Sequence, residues 1–197
     1  MIVIIDSGGA NLLSLMSAFS RLNVEVRVSS SRQDIAAASH VILPGVGCAQ
    51  TIMQRLHALG LVDFLKTLSK PLLGICVGMQ ILFEFSEEGS CHCLGLLSGR
   101  VEKLPAKPNL SLPHMGWNTL RPCGNAKLMQ SIGPSPYVYF VHNFAAPVSD
   151  DTIATSCYGV TFSAAVQRRH LMGVQFHPER SGSQGAQILK NFLEFFS

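Results

Sequence analysis

A cysteine with glycines two residues away on either side, Gly74-Ile75-Cys76-Val77-Gly78, stands where an apolar run ends and a helical pattern begins. Small neighbours permit the tight strand-to-helix turn that lifts a nucleophile out of a sheet. A helix opening at that point offers free N–H groups to a thiolate or an oxyanion. The same stretch also reads as a small buried cysteine between helix-packing glycines, and nothing within it decides between the two. His177-Pro178-Glu179 follows the apolar run 171–176. Placed opposite the elbow, a histidine held by a carboxylate would supply base and orienter for the cysteine, a generalised triad. Alone, that tripeptide reads as an ordinary turn; paired with the elbow in an alternating chain, it favours catalysis.

A third element is Leu43-Pro44-Gly45-Val46-Gly47. A Gly-rich loop at a strand end can bring backbone N–H groups against a bound carbonyl, or it can be a turn that merely needs positive φ. It lacks the G-x-x-x-x-G-K-[ST] phosphate pattern, and Gly8-Gly9-Ala10 does not complete a dinucleotide fingerprint. Cys91-His92-Cys93 has no second ligand cluster, so no metal is expected, because structural zinc needs four convergent ligands.

The elements that must position these residues follow from hydrophobic pattern. Residues 2–5, 24–28, 40–43 and 71–75 read as strands. Helical patterns cover 11–22, 49–59, 61–68 and 77–85. Alternation with continuous apolar strands predicts a parallel sheet covered on both faces. After residue 95 the runs shorten, and 137–141, 153–157, 161–166 and 171–176 read as antiparallel strands, closed by a helix over 183–196. With 197 residues and no repeat or linker, a single domain over 1–197 is expected.

Composition narrows the partners. Charged residues make up 14 %, hydrophobic ones 47 %, and the net charge is +3. No basic run points to nucleic acid. No apolar run approaches the roughly 20 residues that span a bilayer, and the N-terminus is too short for a signal-peptide core. A cytoplasmic chain with six reduced cysteines is expected.

G-I-C-V-G-M-Q, L-P-G-V-G and F-H-P-E, in this order, resemble the class I (triad) glutamine amidotransferases. Asp6-Ser7-Gly8-Gly9-Ala10-Asn11-Leu12, His114-Met115-Gly116-Trp117-Asn118, Tyr139-Phe140-Val141-His142 and Phe176–Ser181 further resemble the glutaminase subunits of imidazole glycerol phosphate synthases. The likeness runs from residue 2 to 196. It implies a flavodoxin-like α/β fold, mostly parallel with an antiparallel extension in the second half, and hydrolysis of L-glutamine to glutamate and ammonia without a cofactor. Cys76 would be the nucleophile, His177 the proton shuttle and Glu179 its orienter. Val46, Gly47 and Val77 would form the oxyanion hole. Gln80, Glu88 and the backbone of His142, Asn143 and Phe144 would hold glutamine. Asn11, Trp117, Tyr139 and Arg180 would face a (β/α)8-barrel cyclase in a heterodimer, which uses the ammonia in histidine synthesis. Trp117, the sole tryptophan, equally suits a core.

Three departures stand out. His142-Asn143-Phe144 replaces the family's usual His-Ser/Thr-Tyr, Arg180 stands for a frequent Lys, and Ala10 for a common Gly. Glutaminase chemistry feeding amidation of a surface-polysaccharide sugar is the alternative pathway. A non-catalytic binding subunit predicts a broken triad, yet all three residues are present. A hydrolase of γ-glutamyl peptides fits the triad but not His114–Asn118.

Overall fold

The computed structural model describes residues 1–8, 11–108 and 110–194. The strands are β1 (Ile2–Ile5), β2 (Val26–Ser29), β3 (His40–Gly45), β4 (Leu72–Cys76), β5 (Phe85–Ser86), β6 (Cys91–His92), β7 (Arg100–Lys103), β8 (His114–Thr119), β9 (Arg121–Pro122), β10 (Tyr137–His142), β11 (Phe144–Ala145), β12 (Thr152–Cys157), β13 (Thr161–Arg168) and β14 (Leu171–Val174). The helices are α1 (Leu12–Arg21), α2 (Arg32–Ala37), α3 (Ala49–Ala58), α4 (Val62–Lys66), α5 (Val77–Gln80) and α6 (Gly182–Leu193).

The main sheet runs β2-β1-β3-β4-β14-β13-β12-β9. From β2 to β14 every neighbour pair is parallel; beyond β14 the pairs are antiparallel. β1, β3, β4 and β14 are buried along their whole lengths. Such strands need no polar face, because helices cover both sides of a parallel sheet. Two smaller sheets complete the molecule, the ribbon β10-β8 and the sheet β11-β7-β5-β6.

Two expectations are corrected. The helix predicted over 77–85 stops after Gln80, and Phe85 lies in β5. The apolar run Ile81-Leu82-Phe83 gives its carbonyls to the N–H groups of residues 94–97 instead, Leu94 to Ile81, Leu96 and Leu97 to Leu82, and Gly95 to Phe83. Those distant donors replace the next helical turn. The run 171–176 is not purely antiparallel: β14 pairs antiparallel with β13 and parallel with β4, so it joins the two halves of the sheet. β8 and α2 had no expectation. The end of the predicted last helix, together with the turn at Gly9 and Ala10, lies outside the described residues.

β3, β4 and β14 all point their carboxyl ends to one side, so the loops that follow them converge. Open α/β sheets place their ligands at this edge.

Candidate active site

Cys76 is the last residue of β4 and the residue before α5. Its φ is 55°, a left-handed conformation that non-glycine residues rarely hold, costing on the order of 1–3 kcal/mol. The flanking glycines make this turn possible by close approach. A Cβ on Gly74 would lie 2.6 Å from the Gly78 carbonyl oxygen, and one on Gly78 only 1.8 Å from the Leu43 oxygen. Their backbone torsions are not the reason for glycine; β3, β4 and α5 simply touch there. Both readings of these glycines hold together, since helix packing is what builds the elbow.

The Cys76 side chain is 3 % exposed and opens on a cavity of about 200 Å³. That is below the roughly 300–1,000 Å³ of sites for drug-sized ligands and suits a small metabolite. Its Sγ lies 3.7 Å from the Val141 oxygen and 3.8 Å from Gln175 Nε2.

His177 follows the end of β14 and is clamped by backbone. Its N–H donates to the Tyr139 oxygen at 2.9 Å, and Ser181 Oγ donates to its carbonyl at 2.7 Å. The same Ser181 Oγ accepts from the Tyr139 N–H at 3.0 Å, tying the turn Pro178–Arg180 to β10. Glu179 Oε1 lies 2.8 Å from His177 Nδ1, and both side chains are 7 % exposed. With Nδ1 donating to a carboxylate, Nε2 is the ring nitrogen left without that partner. It is buried with no hydrogen-bond partner among the described residues. Burial alone would lower the His177 pKa. The hydrogen bond to Glu179, together with the charge of that carboxylate and the neighbouring Cys76 sulfur, outweighs that and raises it to about 10.

That raised pKa carries a sign. A basic group held charged by the fold contributes stability in full below its unfolded value of 6.5, and loses it as pH rises through about 10. The informative comparison is with His177→Asn, which retains a donor toward Glu179 but does not titrate. The gap in thermal midpoint is expected to be widest below pH 6.5 and to shrink toward about pH 10.5. A gap independent of pH across that window would contradict the assignment.

Val46, Gly47 and Val77 line the cavity beside Cys76. Gly47 has a φ of 89° with open space where a Cβ would sit, so here conformation is the reason for glycine. Gln80, Glu88, His142, Asn143 and Phe144 line the same cavity. Gln80 Nε2 donates to the Phe144 oxygen at 2.8 Å and to Gln175 Oε1 at 3.0 Å, leaving Gln80 Oε1 buried and without a partner among the described residues. Burial raises the Glu88 pKa against the opposite pull of the Ala49 N–H, which its Oε2 accepts at 3.0 Å. Both ring nitrogens of His142 are engaged, one with the Phe144 oxygen and one with His114. Only the backbone of His142 is left to face a ligand.

The four residues expected to face a partner divide. Trp117 is 56 % exposed, which removes its core reading. It meets Tyr139 edge to face at 6.1 Å, and the Arg180 guanidinium lies 4.3 Å over the other ring. Asn11 is exposed, caps α1 by accepting the Ser14 N–H, and lines a small cavity with His177 and Glu179. Sequence reasoning missed Gln175, Pro113 and the Val141 carbonyl. Gln175 left one signal, a polar residue inside the apolar run before His177.

Elsewhere, the Cys91 and Cys93 sulfurs are 4.0 Å apart, and burial pushes the Cys93 thiol up to about 12. Among the described residues no group of three His, Cys, Asp or Glu side chains could hold a metal ion, and no helix is long and apolar enough to cross a membrane.

Residues 3–195 match the family described as Glutamine amidotransferase class-I. The chain is similar to imidazole glycerol phosphate synthase subunit HisH of Xanthomonas campestris pv. campestris (strain 8004), 49 % identical over 193 residues, covering 98 % of this chain and 96 % of that protein. Against the HisH subunit of Xylella fastidiosa (strain Temecula1 / ATCC 700964) the identity is 48 % with the same coverage. Among solved structures, PurLQS from Thermotoga maritima superposes with a TM-score of 0.71 at 18 % identity, covering 100 % of this chain and 98 % of that one. That last likeness is one of fold alone.

Proposed function

Because the chain belongs to the class-I glutamine amidotransferase family, we propose that Cys76, His177 and Glu179 form its catalytic triad, carried by one domain over residues 1–197. The chain is a glutamine amidotransferase with that family's fold, and acts as the glutaminase subunit of an imidazole glycerol phosphate synthase in histidine biosynthesis. The HisH relatives favour this pathway over amidation of a polysaccharide sugar.

The observation that carries the mechanism is the buried His177 Nε2 beside Cys76, backed by Glu179. His177 takes the Cys76 thiol proton as the sulfur attacks the side-chain amide carbon of L-glutamine, and the C=O pair moves onto oxygen. Val46, Gly47 and Val77 line the cavity beside Cys76, and their backbone N–H groups would hold that oxyanion. As the C–N bond breaks, His177 passes its proton to the leaving nitrogen, releasing ammonia and leaving a glutamyl thioester. Water then attacks the thioester while His177 takes its proton, and glutamate departs with the cysteine restored. Gln80 Oε1 and the Glu88 carboxylate are acceptors in the cavity and suit the α-ammonium of the substrate.

Ammonia passes to a synthase partner subunit, for which we propose a (β/α)8-barrel cyclase docked over Asn11, Trp117, Tyr139 and Arg180. An exposed tryptophan braced by a tyrosine and a guanidinium has the composition of an interface anchor. Glutamate release is expected to be low for the chain alone and to rise strongly when the cyclase and its nucleotide ligand are added. Trp117→Ala is expected to weaken the complex by about tenfold or more while leaving the thermal midpoint unchanged. Activity indifferent to the cyclase, or a Trp117→Ala complex of full affinity, would overturn the assignment of partner or surface respectively.

A further inference from the structure

His114 belongs to no step above, yet it is 3 % exposed and engaged at both ring nitrogens. Its Nδ1 lies 2.9 Å from His142 Nε2, and its Nε2 lies 3.2 Å from Asn118 Nδ2. His142 Nδ1 lies 2.9 Å from the Phe144 carbonyl oxygen, which also accepts from Gln80 Nε2 at 2.8 Å. Asn118 Nδ2 donates in addition to the Cys157 oxygen at 3.0 Å, and its Oδ1 accepts the Thr119 N–H at 2.8 Å.

These partners allow one arrangement of protons. A carbonyl oxygen only accepts, so His142 carries its proton on Nδ1 and accepts at Nε2. His114 must then donate from Nδ1 and accept at Nε2, which Asn118 satisfies with its second amide hydrogen. Both rings are neutral, in keeping with burial lowering His114 to about 4 and His142 to about 3. Charging either would set two N–H groups head to head. Stacking reinforces the placement: the His114 ring lies between Tyr158 at 4.0 Å and Phe140 at 4.8 Å.

We infer that His114 is a positioning residue for the glutamine site, the middle of a directional hydrogen-bond chain running Asn118–His114–His142–Phe144 carbonyl. The chain fixes the Phe144 oxygen, and that oxygen with Gln175 Oε1 turns the Gln80 amide so that Oε1 faces the substrate as an acceptor. It also starts on β8, whose alternate residues Met115 and Trp117 are exposed, so it fastens the proposed docking ribbon to the pocket. This rests on the reading of the cavity as the glutamine site.

Two variants separate hydrogen bonding from stacking. His114→Phe keeps the ring between Tyr158 and Phe140 but removes both nitrogens. His114→Asn loses the ring, yet its amide nitrogen can take the place of Nδ1 and donate to His142. Both are assayed for glutamate release in complex with the cyclase and its ligand. We expect His114→Phe to raise KM for glutamine about tenfold with kcat within about twofold, and His114→Asn to stay within about twofold of the parent KM. A parent-like KM for His114→Phe, or equal damage in both variants, overturns the inference. In the unaltered chain, 15N NMR should find His114 and His142 both protonated at Nδ1; a proton on Nε2 of either overturns it whether or not the variants fold. If the unaltered complex releases no glutamate, the reading of the site fails instead, and the NMR result still decides the hydrogen-bond chain.

Discussion

Cys76→Ala is expected to leave a folded chain that still binds L-glutamine but releases glutamate at least about 10³-fold more slowly in the cyclase complex. The side chain is 3 % exposed and small, and its removal leaves the backbone of the elbow in place. The strain at φ 55° is a property of the turn rather than of the sulfur, so alanine inherits it. What disappears is the sulfur that the proposed mechanism uses to form the thioester. His177 and Glu179 remain paired but have no bond to make, and water held in the cavity is a far poorer nucleophile. Glutamine binding by calorimetry or dialysis is expected to persist, because Gln80, Glu88 and the backbone of residues 142–144 line the cavity independently of Cys76. Substantial glutamate release by a folded Cys76→Ala complex would remove the triad assignment altogether. Retained binding with lost turnover separates a catalytic cysteine from one that merely packs.

Gly78→Ala is expected to cost less activity than Cys76→Ala but far more stability. A single Cβ there would meet the Leu43 carbonyl oxygen at 1.8 Å and its carbon at 2.9 Å. Neither is the end of a flexible side chain, so β3 and α5 must part. Overpacking of that kind costs on the order of 1–3 kcal/mol, occasionally more. The same shift moves Cys76 relative to Val46 and Gly47, since β3 leads directly into that loop. A displacement near 1 Å costs roughly 10² in rate, and that is the loss expected in kcat. Gly47→Ala is the informative contrast, because no described residue lies within 4 Å of where its Cβ would sit and the φ of 89° is what resists substitution. It should cost about 1 kcal/mol or somewhat more through backbone strain alone. Thermal melts of the two variants beside glutaminase rates would check both figures. A Gly78→Ala chain as stable as Gly47→Ala would show that the close approach of β3 and α5 is not required.

Local pattern carried much of this protein. The largely apolar runs of β1, β3 and β4 announced a two-sided sheet because each residue there reports its own burial. The elbow and His177-Pro178-Glu179 were legible because their residues are neighbours in the chain, and a glycine at a fixed offset from a cysteine restricts backbone geometry directly. What only the tertiary structure decided lies in contacts between distant segments. The Val141 oxygen near Cys76 is 65 residues away in sequence, and Gln175 is 99 residues away. The apolar run Ile81-Leu82-Phe83 could have continued α5, and only the N–H groups of residues 94–97 turned it elsewhere. Trp117 suited a core and an interface alike until β8 paired with β10 and set its side chain outward beside Tyr139. His114, three residues before it on the same strand, went inward by the same alternation and met His142 directly across the ribbon. A sequence states which residues prefer burial and which tolerate a turn; the partner of a buried polar atom is chosen when the sheet closes, because only then do its donors and acceptors come within reach.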